Sequence, residues 1–262
     1  MELMMNAPVP YLYREGAIKL MINAPIPHLD LVKRFHQHLV LSHLLEEEEY
    51  LAFYKDQREK GSYIVLDNGV VETGVPRIDR SMVEMLRPHE VVAPDYLFDA
   101  QRTYEESLRF LTQIKTEFPF LKVMCVPQGD SPEEFIECLE AFVSSPCDVI
   151  GLGKSASLAL TPKQIRPRDP EAPFVVAGRH RALTHLMKMK SSIPVHILGL
   201  SRPNELLVYN TFPNVRSVDT SWCFRTLQGK PLTDFHEQSD PEEAKRLINA
   251  LESVLGRGVP LC

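Results

Sequence analysis

Residues 63–74, YIVLDNGVVETG, set four β-forming residues (Tyr63, Ile64, Val65, Leu66) directly before an Asp67-Asn68-Gly69 tip. A short apolar run closed by turn residues reads as a buried strand that carries a carboxylate to its own C-terminal end. The same pattern returns at VVAPD (91–95), KVMCVPQG (122–129), DVIGLG (148–153), VHILGL (195–200) and VRSVDTS (215–221). Helix-like stretches separate most of these runs, among them 77–88, 99–117 and 133–143. Strand alternating with helix predicts a parallel sheet, and about seven or eight strands in roughly 250 residues match an α/β fold of one domain, a (β/α)8 TIM barrel. An open doubly wound sheet is the other arrangement the pattern allows. In either, side chains at the strand tips share one face, which gathers Asp67, Asp95, Gln128 and Asp219.

The flanks of this pattern are less regular. Two similar phrases, MMNAPVP (4–10) and MINAPIP (21–27), surround a possible strand at 17–22, and their prolines predict an irregular N-terminal cap over about residues 1–30. Residues 30–45 fit either a continuous helix or a helix leading into a strand at 38–42. LAFYKDQREKG (51–61) reads as an exposed helix stopped by Gly61. The span Ser155–Pro173, with prolines at 162, 167, 170 and 173, predicts the longest irregular connection, followed by a basic helix over 179–190. Residues 240–255 predict a closing amphipathic helix with Asp240 at the N-cap and Pro241 at N1.

Of 262 residues, 44% are hydrophobic and 24% charged, the balance of a folded globular chain rather than a disordered one. No apolar run approaches the ~20 residues of a membrane span, and no leader pattern opens the chain, so a cytoplasmic location is expected. The five cysteines form no CxxC pair, which argues against a disulfide framework or structural zinc. His28, His36, His38, His43 and His89 are scattered without carboxylate or thiol companions, so no metal site is expected. Neither GxGxxG nor GxxxxGK[ST] occurs, and no cofactor is expected.

A net charge of −6 argues against coating of nucleic acid by bulk electrostatics alone. Between Thr161 and Lys190, however, Lys163, Arg166, Arg168, Arg179, Arg181, Lys188 and Lys190 face only Asp169 and Glu171. Such a stretch suggests one localised anionic partner, or equally a solvated helix face.

Two carboxylates on separate strands that converge on one barrel mouth can divide labour, one ionised as nucleophile and one moving a proton. That division suits substitution at a sugar anomeric carbon. Asp95 and Gln128 add the acceptors and the amide that read the N–H and C=O edge of a purine-like base.

In this order, DNG (67–69), PD (94–95), VPQGD (126–130), GLG (151–153), HILGLSRPNEL (196–206) and SVDTS (217–221) resemble the tRNA-guanine transglycosylase superfamily of TIM barrels over roughly residues 60–225. The resemblance implies Asp67 as acid/base, Asp219 as the nucleophile that bonds C1′, and Asp95 and Gln128 as base readers. It further implies base contacts from Gly151 and Gly153, with Asn68, in place of the family's Ser, and His196 beside them. The family's Cys/His zinc site is missing, which makes the chain look like the shortened branch that exchanges guanine in DNA for a 7-deazaguanine such as 7-cyano-7-deazaguanine, as phage genome-modification systems do. The implied partners are then duplex DNA with a flipped-out guanine and the free 7-deazaguanine, in a host cytoplasm if phage-encoded. Lys163, Arg166, Arg168, Arg179, Arg181 and Lys188 would hold phosphates.

Overall fold

The computed structural model describes residues 18–161, 172–224, 235–236 and 240–256. Eight parallel strands form one sheet: β1 (Lys19–Ile22), β2 (Gln37–Leu41), β3 (Tyr63–Asp67), β4 (Glu90–Val92), β5 (Lys122–Cys125), β6 (Val149–Leu152), β7 (Val195–Ile197) and β8 (Val215–Thr220). Their hydrogen-bonded order, β1-β8-β7-β6-β5-β4-β3-β2, brings the first strand beside the last and curls the sheet into a nearly closed (β/α)8 barrel. The open doubly wound alternative is thereby set aside.

Helices follow the strands as the sequence pattern predicts: α1 (Glu48–Glu59), α2 (Val70–Thr73), α3 (Arg80–Leu86), α4 (Ala100–Glu117), α5 (Pro132–Val143), α6 (Lys154–Ala159), α7 (Ala172–Lys188), α8 (Glu205–Tyr209) and α9 (Pro241–Gly256). The caps explain several starts. Asp99 accepts from Arg102 N at 3.0 Å, Ser131 from Glu134 N at 3.1 Å, and Asp240 from Glu242 N at 2.9 Å. Strands sandwiched between barrel interior and helices are buried on both faces, hence unbroken apolar runs such as Ile64-Val65-Leu66, all without solvent exposure. Each such side chain contributes about 1.5–3 kcal/mol of burial free energy. At the N-terminal end of the barrel, buried Glu90 accepts from Tyr63 Oη at 2.8 Å and pairs with Arg216, tying β3, β4 and β8.

The possible strand at 17–22 is present as β1, which pairs with β8 from Lys19↔Ser217 to Ile22↔Thr220; residues 1–17 lie outside the described residues. Three sequence expectations change. Of the two options for residues 30–45, a strand is present, but short 3-10 turns at Ile26–Leu31 and Ser42–Leu44 flank it instead of a helix. Helix α1 is anchored rather than solvated: Tyr50 and Tyr54 are buried and pack ring against ring, and the Tyr50 hydroxyl accepts from Leu41 N at 3.0 Å. The predicted irregular span includes α6, and the basic helix starts earlier, at Ala172. No described helix is long and apolar enough to cross a membrane.

Candidate active site

The strand tips meet at the C-terminal end of the barrel. Asp67 ends β3, and the chain turns at once because Gly69 adopts φ 68° and donates its N–H to Asp67 Oδ2 at 3.0 Å. A side chain at Gly69 would be strained by that φ and would press on Ser42 Oγ at 3.0 Å, so the turn requires glycine. Burial, reinforced by the negative charges of Glu72, Asp219 and Asp95, pushes the Asp67 carboxyl up to about 8. Asp67 is therefore protonated at neutral pH.

Asp219 is held differently. Only 4% exposed on β8, it accepts from Asn23 Nδ2 at 2.8 Å on Oδ2, and from Gly199 N at 2.9 Å on Oδ1. His196 Nε2 lies 3.1 Å from the same Oδ1, while its Nδ1 is 2.7 Å from Ser217 Oγ. Donors converging on both oxygens suit an ionised carboxylate. Asp219 and Asp67 thus share one mouth in different settings, Asp219 under donors to both oxygens and Asp67 with the Gly69 amide on Oδ2.

A second cluster stands beside them. Asp95, 2% exposed, accepts from Asn68 Nδ2 and Gln128 Nε2, each at 2.6 Å. Burial lifts its carboxyl to about 6 against the lowering effect of those two amides. Gln128 Oε1 accepts from Phe98 N at 3.2 Å. Phe98 is 37% exposed and has φ 66°, a conformation a bulky residue adopts only where its surroundings enforce it.

Several residues singled out in the sequence take other places. Asn68 also donates to Ala93 O at 2.7 Å and accepts from Val70 N at 3.0 Å, so its amide orients Asp95 and the turn rather than facing a ligand. His196 sits against Asp219, not beside Asp95 and Gln128. Gly151 is a packing glycine in the β6 ladder: a side chain there would meet Met124, Val126 and Leu198 at 2.9–3.0 Å. Gly153 lies at the strand end and leads into α6.

Two of the six residues proposed for the phosphates are corrected. Arg179 has no solvent exposure and pairs with buried Glu205, so it cannot meet a phosphate. Lys188 ends α7, a helix of 17 residues that runs back toward the N-terminal end of the barrel, about 25 Å from its start at 1.5 Å per residue. That puts Lys188 far from the mouth. Arg181 is exposed, with its guanidinium donating to Leu160 O at 2.6 Å. Lys163, Arg166 and Arg168 lie outside the described residues.

Sequence reasoning missed Asn23, Glu72, Phe98 and the Gly199 amide. Asn23 carried the same signal as the other tips, a polar residue directly after an apolar run, but the prolines around it suggested irregular chain. The amide and the φ of Phe98 leave no trace in side-chain chemistry. Among the described residues, no three His, Cys, Asp or Glu side chains gather as a metal site.

No family model matches the chain, and no curated protein matches it. Solved structures do. Tryptophan synthase from M. tuberculosis superposes with a TM-score of 0.52 at 13% identity, covering 95% of each chain. The tryptophan synthase α-subunit of Pyrococcus furiosus gives 0.52 at 13% identity, over 92% of this chain and 97% of that one. A HpcH/HpaI aldolase/citrate lyase family protein from Burkholderia cenocepacia gives 0.51 at 11%, over 80% and 91%. At such identities the likeness shows the fold alone. The resemblance to tRNA-guanine transglycosylases is overturned, since these neighbours are aldolase and synthase barrels and none is a transglycosylase. Its motifs are strand ends of a few residues each, and a barrel needs polar and glycine tips whatever its ancestry. The chain is a (β/α)8 barrel with a carboxylate-rich mouth.

Proposed function

We propose that this barrel is an enzyme of glycosyl transfer that exchanges guanine at the C1′ of a DNA nucleotide for a 7-deazaguanine. The step at C1′ rests on the mouth, and one observation carries it: Asp219 lies under donors to both oxygens while Asp67 stays protonated up to about pH 8. In the first step an Asp219 oxygen bonds to C1′ as the C1′–N9 bond breaks, and Asp67 gives its proton to the departing base. In the second, the incoming base loses its N9 proton to Asp67 and bonds C1′, which frees the Asp219 carboxylate. Gln128 and Asp95, paired with each other in the free protein, would open to the N–H and C=O edge of the bound base. A DNA guanine reaches this buried mouth only by leaving the stack, at a cost of a few kcal/mol. Lys163, Arg166, Arg168 and exposed Arg181 are the residues this reading leaves for the phosphates.

The test is base exchange. Purified protein is incubated with duplex DNA or tRNA and 7-cyano-7-deazaguanine, and the digested nucleosides are identified by mass spectrometry. Modified deoxynucleoside is expected, and Asp219→Ala should abolish both exchange and any covalent adduct while the protein stays folded. Modified ribonucleoside alone would transfer the reading to RNA. An active Asp219→Ala variant, or no product from either polymer, would overturn it.

A further inference from the structure

The turn after β7, Leu198 to Arg202, is gripped on two sides. Its inner side holds Asp219: Gly199 N donates to Asp219 Oδ1 at 2.9 Å, Leu200 N to Asp219 O at 2.8 Å, and Leu200 O accepts from Thr220 Oγ1 at 2.7 Å. Gly199 adopts φ 71°, which aims its amide at the carboxylate. Its outer side is held by two buried charges. Arg179 donates through Nη2 to Leu198 O and to Gly199 O, the latter at 3.3 Å. Glu205 Oε1 accepts from Ser201 N at 3.0 Å and Arg202 N at 2.9 Å. The charges meet each other at 3.4 Å, and Tyr209 Oη donates to Glu205 Oε2 at 3.0 Å.

Arg179 can be there only because of its neighbour. At Gly178 a Cβ would fall 2.0 Å from Ser157 Cα, so glycine lets α7 press against α6. Burying such an ion pair gains little stability over well-packed apolar side chains, because both charges must be desolvated. What an apolar pair cannot do is grip two carbonyls and two amides of one turn in fixed geometry.

We propose that Arg179 and Glu205 are positioning residues that fix the Leu198–Arg202 turn, so that the Gly199 amide holds the Asp219 carboxylate in its attacking orientation. Neither touches substrate; both act through the backbone. The inference rests on Asp219 being the nucleophile, and its test reads position and turnover separately.

The variant is Arg179→Met with Glu205→Gln, which removes both charges together and leaves the Gln oxygen to accept from Ser201 and Arg202. Hydrogen exchange, resolved by amide, is expected to speed up at least tenfold at Gly199 and Leu200 while Val65, Val91 and Val123 keep their protection. In the exchange assay kcat should fall about 10- to 100-fold with KM nearly unchanged. Should the double variant fail to fold, Arg179→Lys retains the charge but cannot span both carbonyls, and the same two effects are expected at smaller size. Unchanged amide exchange at Gly199, or unaltered kcat in a folded variant of an active enzyme, would overturn the inference. If the wild type exchanges no base while the Gly199 amide still loses protection, the glycosyl-transfer reading fails and the grip on Asp219 stands.

Discussion

At Asp67, one carboxyl bears on stability and, in the proposed reaction, on rate. Its folded-state value of about 8 lies above the ordinary 3.8 of an exposed Asp. Between those values the folded protein keeps a proton that the unfolded chain has released, so stability declines as pH rises from about 4 to about 8. Asp67→Asn should therefore raise the thermal midpoint at pH 8 by roughly 10 °C, since the rise from 3.8 to about 8 is on the order of 5 kcal/mol and each kcal/mol moves a chain of this length by about 2–4 °C, and leave it nearly unchanged at pH 4. Scanning calorimetry at the two pH values checks this. The same substitution is expected to lower base exchange about 100-fold or more, as loss of a proton donor does. In the wild type, kcat should fall with a midpoint near pH 8 as Asp67 ionises.

Among the elements, the seam between α6 and α7 is the most exacting. Because any Cβ at Gly178 would run into the Ser157 backbone, Gly178→Ala must force the two helices apart, with an expected loss of about 1–3 kcal/mol in urea unfolding. The helix periods and caps that define α4, α5 and α9 were legible in the chain, as were the strand runs and the tips Asp67, Asp95, Gln128 and Asp219. What escaped the sequence had physical reasons. The strand at 17–22 was legible, but the prolines after it hid that Asn23 is a strand tip like the others, because only the ladder with β8 brings it to the barrel mouth. Arg179 looked like a surface cation because charge count says nothing of direction, and it lies on the buried side of α7, where Gly178 lets that helix approach α6. The polar partners around Asp219 come from the residue after β1, from β7 and from the turn after β7, which no local pattern can join. Short strand-end motifs, finally, suggested a kinship that the fold comparisons do not support, since such motifs report barrel geometry before ancestry.

Across the whole molecule, buried groups pull the pH–stability curve in opposite directions. His38, without solvent exposure and packed edge-on against Phe53 and Tyr54, has its ring pushed down to about 4 by burial. The unfolded chain binds that proton near 6.5, so stability is lost as pH falls from about 6.5 to about 4, the opposite sense to Asp67. His38→Leu is expected to flatten the acid side of the curve and leave the alkaline side in place; an unaltered acid slope in urea titrations between pH 4 and 6.5 would assign that limb to other groups. A last consequence concerns time rather than energy. The bond from Asn23 to Asp219 closes a loop of 196 positions, joining the first strand of the barrel to its last. Contacts of such separation form late. In refolding, helical signal should therefore recover ahead of turnover, and Asp219, the proposed nucleophile, would gain its Asn23 donor only when the two ends of the barrel have met. Chemistry in this molecule would serve as its own signal that assembly is finished.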